Sequence, residues 1–291
     1  MQQGITMNMP FIPSFPPRVE IELSSACNFR CTYCPRQYLP PLGAMIDMDL
    51  FTRIVEECAE FPKTILTLHR RGESLLHPRL AEIMELVHGR FAEIQLATNG
   101  SLLTPEKYEA LTRGLTFLSF SLDPPETFNA TRFGACYADV EKNIQGFLAY
   151  SKGRVTTQAS MVRVDSTTQE DCDHFISLWK DKVDRVRIYE EHSKDGVFGA
   201  LKNARPERKP CTMPFYEVLV YADGTVGRCN HDWNGPPLGD LNKQSIREVW
   251  HSDVLTSLRR QQASLEFTDP VCKTCDSWYP VPGVQDTGKV V

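Results

Sequence analysis

Three cysteines, Cys27, Cys31 and Cys34, fall within eight residues near the start of the sequence, with the spacing C-x3-C-x2-C. A closed structural zinc site takes four ligands, so three thiolates do not complete one. Three thiolates can instead hold three irons of a 4Fe–4S cluster and leave the fourth iron open to a substrate or cofactor. A chance grouping is the alternative, and the rarity of such packed motifs makes it the weaker interpretation.

Four further cysteines lie in the last third of the sequence. Cys211, Cys229, Cys272 and Cys275 have the spacing C-x17-C-x42-C-x2-C. Four thiolates can bind zinc tetrahedrally or ligate a complete 4Fe–4S cluster, and the spacing alone leaves both open. Disulfides are not expected, because thiols stay reduced in the cytoplasm. Both cysteine groups therefore predict metal binding.

The elements that must position these cysteines alternate between strand and helix. Hydrophobic periodicity predicts six strands, at residues 18–23, 64–69, 93–97, 115–122, 155–162 and 183–189. It predicts helices at residues 48–61, after Pro78, from Pro105, and at 136–150 and 168–181. Six β/α units imply an α/β fold with a parallel sheet, here a partial (β/α)6 barrel, because a closed eightfold barrel needs about 250 residues.

The composition changes near Lys202. Residues 202–210 are basic and contain proline, which is typical of a linker. We therefore predict a lead segment at residues 1–17, a partial barrel at 18–201, and a small α+β domain at 202–291.

Two local patterns predict the elements of the small domain. Asp223-Gly224 is a two-residue hairpin pattern between strands at 215–222 and 225–228. Ser245 begins a capping box that predicts a helix running to about Gln262.

The overall composition is that of an ordinary globular protein. The chain has 291 residues, 41% of them hydrophobic and 24% charged, with a formal net charge of -5. This balance gives no overall cationic surface for nucleic acid or membrane, and no apolar run approaches the roughly 18 residues of a membrane span. The N-terminus lacks the features of a secretory signal, so we expect a cytoplasmic protein.

The order of motifs resembles that of the radical S-adenosylmethionine (SAM) superfamily. An aromatic residue, Tyr33, precedes the third cysteine of the first group. After the second strand, Arg71-Gly72-Glu73-Ser74 is similar to the family's Gly-Gly-Glu-Pro motif, with Arg71 and Ser74 as departures. The resemblance implies that Tyr33 and Gly72 belong to the SAM site and that Glu73 pairs with the SAM ammonium group.

The resemblance also implies SAM contacts at the ends of the third, fourth and fifth strands. These strand ends carry Thr98, Asn99, Ser119, Ser121, Asp123 and Met161. In the family, the first two of these strand ends contact the methionine and ribose, and the fifth strand lies against the adenine. SAM bound at the open iron is cleaved reductively to a 5′-deoxyadenosyl radical, which abstracts hydrogen from an unactivated C–H bond.

The second cysteine group resembles the SPASM domain of this superfamily, or its shortened form, twitch. The similar features are Gly224-x4-Cys229 and the later Cys272-x2-Cys275. A full SPASM domain carries further cysteines for a second auxiliary cluster, and here no cysteine follows Cys275. The resemblance therefore implies one auxiliary 4Fe–4S cluster, held by all four cysteines of the group, with a role in electron transfer.

Three cysteines stand outside both groups. Cys58 and Cys172 lie on the apolar faces of predicted helices, and we expect them to be buried. Cys136 lies in a loop at the start of a helix. A buried core thiol is the favoured interpretation of Cys136, and a hydrogen-atom donor that faces the cavity is the alternative.

The compact length and the cysteine spacing are most similar in type to the twitch dehydrogenases of aminocyclitols. The resemblance implies that hydrogen is abstracted from a carbinol carbon, the hydroxyl group loses its proton, and the auxiliary cluster takes the second electron, which gives a ketone. We therefore expect a small-molecule substrate, such as a sugar, an aminocyclitol or a related natural-product intermediate. We also expect an external electron donor such as flavodoxin or ferredoxin, and neither a membrane nor a nucleic acid as partner.

Three alternatives remain at this point. An epimerase of a sugar or peptide would abstract the same kind of hydrogen and return one from a cysteine, with Cys136 as the candidate. A peptide-modifying maturase is less favoured, because the 26 residues before Cys27 leave no room for a leader-binding domain. A non-enzymatic iron–sulfur or zinc-binding protein would cleave no SAM.

Overall fold

The structure, a computed structural model, describes residues 11–192, 198–201 and 207–278. Its strands are β1 (Arg18–Ile21), β2 (Arg30–Cys31), β3 (Ile65–Thr67), β4 (Glu93–Thr98), β5 (Phe117–Ser121), β6 (Arg132–Phe133), β7 (Thr156–Arg163), β8 (Arg185–Glu190), β9 (Glu217–Val220), β10 (Thr225–Gly227) and β11 (Gly239–Asp240). Its helices are α1 (Met48–Ala59), α2 (Leu80–Val87), α3 (Pro105–Gly114), α4 (Pro125–Thr131), α5 (Tyr137–Ser151), α6 (Gln169–Trp179), α7 (Ile246–Trp250), α8 (Asp253–Ser264) and α9 (Pro270–Thr274).

The six predicted barrel strands form a parallel sheet in the order β1-β3-β4-β5-β7-β8. This arrangement confirms the partial (β/α)6 barrel. The observed limits differ from the predicted ones by at most two residues: β1, β3 and β5 end one or two residues earlier, and β4, β7 and β8 end one residue later. Strands β2 and β6 form a separate antiparallel pair beside the first cysteine group.

Helix α1 shows how the apolar pattern builds the core. Phe51, Ile54, Val55 and Cys58 recur at helical spacing and are all buried. Asp47 caps the helix by accepting the backbone N–H groups of residues 49 and 50. The predicted burial of Cys58 is therefore confirmed, and Cys172 in α6 is likewise buried.

The last three strands extend the barrel sheet. Strand β9 pairs in parallel with β1, and β10 and β11 follow as antiparallel neighbours, which gives the order β11-β10-β9-β1 at this edge. The pairing brings Arg18 of β1 against Glu217 of β9, and the two side chains form a buried ion pair. The predicted division at residue 202 stays a prediction, and residues 1–10, 202–206 and 279–291 lie outside the described residues.

Two predictions about the small domain are corrected by the structure. The hairpin loop contains three residues, since Tyr221 and Thr225 still pair and Gly224 has a φ of +88°. A type I turn followed by a left-handed glycine explains this loop. The capping box at Ser245 is confirmed, but the predicted long helix is two helices, because Ser252 caps a new one after α7 ends.

Among the described residues, no helix combines the length and the apolar character that crossing a membrane requires.

Candidate active site

A cavity of about 380 Å³ lies inside the partial barrel, lined by residues of its strands and of the loops that follow them. The loop after β1 brings Cys27, Cys31 and Cys34 to its wall. The Sγ atom of Cys27 accepts the backbone N–H of Phe29 at 3.4 Å. Burial raises the pKa of all three thiols, that of Cys31 to about 12. Because metals bind thiolates, cluster binding at this site should release protons.

The cysteine loop is held from behind by a buried polar group. The hydroxyl group of Tyr33 donates to both oxygens of Asp123, at 3.1 and 3.0 Å. Arg132 forms an ion pair with the same carboxylate at 3.0 Å. Neither Tyr33 nor Asp123 is among the residues that line the cavity. The Asp123 carboxylate thus positions the cysteine loop, and the SAM contacts of Tyr33 and Asp123 stay predictions.

The Gly72-Glu73 segment is pressed against the same loop. A Cβ atom on Gly72 would overlap the carbonyl oxygens of Ser24 and Ala26, so only glycine fits there. The backbone N–H of Glu73 donates to the carbonyl of Ala26 at 2.7 Å. The close approach of the cysteine loop therefore explains why this position of the motif is a glycine in this chain.

The Glu73 carboxylate lies at the junction of three segments. It accepts the backbone N–H of Leu75 at 3.0 Å, the hydroxyl group of Thr98 at 2.8 Å and the backbone N–H of Asn99 at 2.8 Å. Burial raises its pKa, while these three hydrogen bonds lower it. The carboxylate is therefore fixed in orientation at the cavity wall, next to the cysteine loop.

Seven of the predicted SAM contacts line one cavity together with the three cysteines. They are Gly72, Glu73, Thr98, Asn99, Ser119, Ser121 and Met161. Asn99 approaches the cysteine loop most directly, since its amide donates to Asn28 at 2.9 Å. The shape and the donor set of this cavity fit SAM bound at a three-cysteine cluster.

Arg71 explains the departure from the Gly-Gly-Glu-Pro motif. Its guanidinium binds the buried carboxylate of Glu22 through Nε and Nη2, each at 2.8 Å, and its backbone N–H donates to the same group at 3.0 Å. The guanidinium also lies over the ring of Tyr221, 3.9 Å from its centroid. A side chain in place of glycine therefore joins the barrel to the C-terminal strands.

The four C-terminal cysteines form a second site beside this cavity. Their thiols are close enough to raise one another's pKa, on top of the larger effect of burial. Burial is the main reason that the pKa of Cys275 rises to about 11. Gly199 has a φ of +83°, and a Cβ atom there would lie 2.9 Å from the Sγ of Cys275. The backbone around this site is thus shaped to approach a cysteine closely.

The described residues hold no group of three or more His, Cys, Asp or Glu side chains drawn together as a single metal ion needs. A four-iron cluster is larger than one ion, and its four thiolates stand further apart. The residues present, four mutually facing thiols with a glycine cradle, therefore fit a cluster with one cysteine on each iron.

Arg70 connects the two sites, and the sequence analysis missed it. Its Nη1 donates to the carbonyl of Asn230 at 2.7 Å, and its Nη2 donates to the carbonyls of Cys229 at 3.3 Å and Asp232 at 2.8 Å. Its side chain also lines the cavity. Glu20, on an inward-facing position of β1, was missed as well, although the alternation in β1 places it on the cavity side.

Cys136 lies outside this arrangement. It is exposed at the start of α5, where its thiol donates to Asp139 at 2.9 Å. The favoured prediction of a buried thiol is therefore wrong. The alternative position facing the cavity is not found either, since Cys136 is absent from the cavity lining.

Comparison with protein families identifies both regions. The model of the Radical SAM superfamily matches residues 21–178, which is more than half of the chain. The model of the SPASM iron–sulfur cluster-binding domain matches residues 211–276.

Two curated relatives illustrate the range of similarity. The tungsten-containing aldehyde ferredoxin oxidoreductase cofactor-modifying protein of Pyrococcus furiosus is 32% identical, over 41% of this chain and 35% of its own length. The S-adenosyl-L-methionine-dependent 2-deoxy-scyllo-inosamine dehydrogenase of Niallia circulans is 24% identical, over 89% of this chain and 92% of its own. This chain thus spans about a third of the first relative and nearly all of the second.

Solved structures share the fold. BtrN in complex with AdoMet and 2-DOIA has a TM-score of 0.57 at 22% identity, covering 85% of this chain and 87% of that one. SuiB of Streptococcus suis bound to the precursor peptide SuiA has a TM-score of 0.70 at 13% identity, covering 85% and 67%.

The matched domains imply SAM, a SAM-binding 4Fe–4S cluster and auxiliary iron–sulfur binding. The cysteine loop, the Gly72-Glu73 segment and the C-terminal thiols provide residues of the right chemistry for each. The chain therefore belongs to the radical SAM superfamily and carries a C-terminal SPASM domain.

Proposed function

We propose that this protein oxidises a secondary alcohol of a small polar molecule, such as an aminocyclitol or sugar, to a ketone. One observation carries the proposal: the cavity wall is formed both by the first cysteine loop and by the loop that directly follows Cys229 of the second site. Cys27 and Glu73 line it on the barrel side, and Asn230 and Trp233, from the loop after Cys229, line it on the other side. A molecule in this cavity lies beside both sites, as an oxidation that delivers an electron to the second site requires.

The residues of the barrel would hold the first cofactors. Cys27, Cys31 and Cys34 would ligate the SAM-binding cluster, and Glu73 would accept a hydrogen bond from the SAM ammonium group. When bound, SAM and this cluster supply a carbon-centred radical able to abstract hydrogen from carbon. The protein's own contribution is to bind, to orient and to exclude water.

The remaining lining suits a substrate rich in hydroxyl or amino groups. Gln95 and Gln158 offer amide donors and acceptors, Glu20 offers a carboxylate, and Tyr189 offers a hydroxyl group. The near full-length similarity to the Niallia dehydrogenase supports an alcohol of this kind. An external reductant such as flavodoxin or ferredoxin, and a cytoplasmic setting that keeps the cysteines reduced, are part of the proposal.

The proposal is tested by anaerobic reconstitution with iron and sulfide, followed by SAM and dithionite. We expect 5′-deoxyadenosine, and with 2-deoxy-scyllo-inosamine or a related aminocyclitol we expect a ketone in equal amount. No 5′-deoxyadenosine under any condition would contradict the enzyme hypothesis and favour a binding protein. Deuterium uptake from solvent without net oxidation would favour an epimerase, for which the exposed Cys136 is poorly placed as donor.

A further inference from the structure

The two carboxylates that line the cavity differ in how they are bound. Glu73 accepts three hydrogen bonds from its own chain. Glu20 has no hydrogen bond to any described residue, although it is surrounded by protein and lines the same cavity. Glu22, just after β1, is bound on both oxygens by Arg71. Of these carboxylates, Glu20 is the one whose two oxygens both accept no hydrogen bond from the described residues.

Charged groups surround Glu20 on three elements. Arg18 of its own strand lies at 3.7 Å, and Arg70, after β3, lies at 3.6 Å. Glu22, just after β1, and Glu217 on β9 add negative charge. Both guanidiniums are too distant for a short hydrogen bond, so they balance the charge of Glu20 without occupying its oxygens.

These surroundings give Glu20 a pKa near neutrality. Burial, followed by the charge of Glu217, raises the pKa of Glu20 to about 7, against the opposing effect of the two guanidiniums. The imidazoles of His69 and His192 line the same cavity, and burial lowers their pKa values to about 3 and about 4. Near neutral pH, Glu20 can therefore exchange a proton, whereas these two imidazoles stay neutral.

Arg70 extends from Glu20 to the second cysteine site. Its Nε lies 3.6 Å from the Glu20 carboxylate, and its Nη2 donates to the carbonyl of Cys229 at 3.3 Å. The same guanidinium holds the carbonyls of Asn230 and Asp232, so the loop after Cys229 cannot move independently of it. One fixed positive charge thus faces a proton-exchanging carboxylate on one side and a cluster ligand on the other.

We propose that Glu20 accepts the proton lost by the substrate hydroxyl group, and that Arg70 couples the charge of Glu20 to the auxiliary cluster. This inference rests on the proposed function. After hydrogen has left the carbinol carbon, the O–H bond breaks and its proton forms a new O–H bond on Glu20. The C–O bond becomes C=O, and one electron leaves toward the auxiliary 4Fe–4S cluster, the oxidant that the proposed function names. Protonation of Glu20 favours this electron transfer, because it removes a negative charge beside Arg70.

The test measures the reduction potential of the auxiliary cluster and needs no substrate. Full-length protein with Cys27, Cys31 and Cys34 replaced by alanine is reconstituted, so that the electron paramagnetic resonance signal comes from the auxiliary cluster alone. Between about pH 6 and about pH 8, we expect the reduction equilibrium to become three- to tenfold less favourable, where tenfold is about 59 mV for a one-electron couple. When E20Q is added to this triple cysteine variant, the potential at both pH values should equal the higher one that the parent protein has at about pH 6.

Variants of Arg70 test the coupling itself. R70M should make reduction roughly tenfold less favourable at about pH 6, because a positive charge beside Cys229 is lost. In R70M the potential should also no longer depend on pH. With one of its two neighbouring guanidiniums gone, Glu20 should stay protonated at both pH values. R70K keeps the charge and should keep the response. E85Q is the matched control, since Glu85 is an exposed residue of α2 outside the cavity lining and the variant should behave as the parent protein.

Either of two results overturns the inference: a parent-like pH response in E20Q, or a parent-like potential in R70M. If E20Q or R70M fails to retain iron, E20A and R70Q remove the same charges and provide the same comparison. The proposed function is judged separately, with intact cluster ligands. When the wild type forms a ketone, E20Q should lower its yield at least tenfold while 5′-deoxyadenosine still forms. No ketone from the wild type contradicts the proposed function, whereas a pH-independent potential contradicts the coupling.

Discussion

The two cysteine sites are built in different ways. Cys27, Cys31 and Cys34 come from one loop, so their geometry is largely local. The second site takes Cys211 from before β9, Cys229 from after β10, and its last two cysteines from residues 272–275, so it forms only when distant segments meet. A site made by one loop can leave a ligand position open, whereas the second site offers four thiols. Under the proposed function, the first site would bind SAM and the second would accept an electron.

Their surroundings differ in the same sense. The first site opens onto the cavity and the SAM-motif segment, where Glu73 and Asn99 offer polar atoms to a ligand. The second site is enclosed by arginines that serve its own loops, since Arg70 binds the carbonyl of Cys229 and Arg208 binds that of Cys275 at 2.7 Å. Because the first site would bind SAM, changes to its cysteines are expected to have the largest effect on activity.

Replacement of Cys27, Cys31 and Cys34 together by alanine should abolish 5′-deoxyadenosine formation, because no open iron remains to bind SAM. Iron content should fall from about eight to about four per chain, as expected for two four-iron clusters. Iron and sulfide analysis checks the count, and chromatography checks the nucleoside. A parent protein with about four irons and one stoichiometric zinc would show that the second site is not a cluster.

Replacement of Cys272 and Cys275 by alanine should allow some SAM cleavage but block the oxidised product, because the electron acceptor is lost. Metal binding also stabilises small domains, so circular dichroism must first show that the variant keeps its secondary structure. A folded variant that still makes ketone at the wild-type rate would assign the second site a structural role. The epimerase alternative would then gain support.

The Glu73→Gln variant should bind SAM roughly ten- to a hundredfold more weakly with both clusters intact, because a charge-assisted hydrogen bond is lost. Equilibrium binding of SAM to the reconstituted variant measures the effect. Glu93→Gln, a carboxylate change outside the cavity, serves as the control. Equal SAM affinity in Glu73→Gln and the wild type would mean that Glu73 only positions Thr98 and Asn99.

The last prediction concerns the pH dependence of stability that results from His69, a buried histidine of the cavity wall. Burial lowers the pKa of His69 to about 3, whereas in the unfolded chain it is near 6.5. Below about pH 6.5 only the unfolded state binds this proton, so stability falls as the pH is lowered, by up to about 1.4 kcal/mol per pH unit. Denaturant unfolding of cluster-free protein should show this loss, and His69→Gln should reduce it. An identical acid profile in the variant would place the loss elsewhere.

The local parts of both sites were accessible from the sequence, and the non-local parts were not. The spacing of Cys27, Cys31 and Cys34, the Gly72-Glu73 pair and the apolar face of α1 are patterns within a few residues. The parallel pairing of β9 with β1 is not a local pattern, because it joins segments about 200 residues apart. The hydrophobic periodicity of one segment does not indicate which distant segment it pairs with. The role of Arg70 depends on that pairing and was missed for that reason.

One error had a local cause. The break between α7 and α8 was missed, although Ser252 caps the second helix by accepting the N–H of Leu255. A run of helix-forming residues concealed it. The assignment of Asp123 to SAM rests on its position at a strand end and stays a prediction, and only the structure shows that Tyr33 and Arg132 bind its carboxylate.

The place of β1 between β3 and β9 has a consequence for biosynthesis. β1 is synthesised long before β9, its partner on one side, since Glu217 of β9 follows Arg18 of β1 by 199 residues. Until then β1 is an open edge that can pair with other chains, and Arg18 lacks its counter-charge. A nascent chain in this state is at risk of aggregation, and the first cysteine loop leaves from the same unfinished strand. Loading of the SAM-binding cluster in the cell should therefore follow completion of the chain rather than accompany its synthesis.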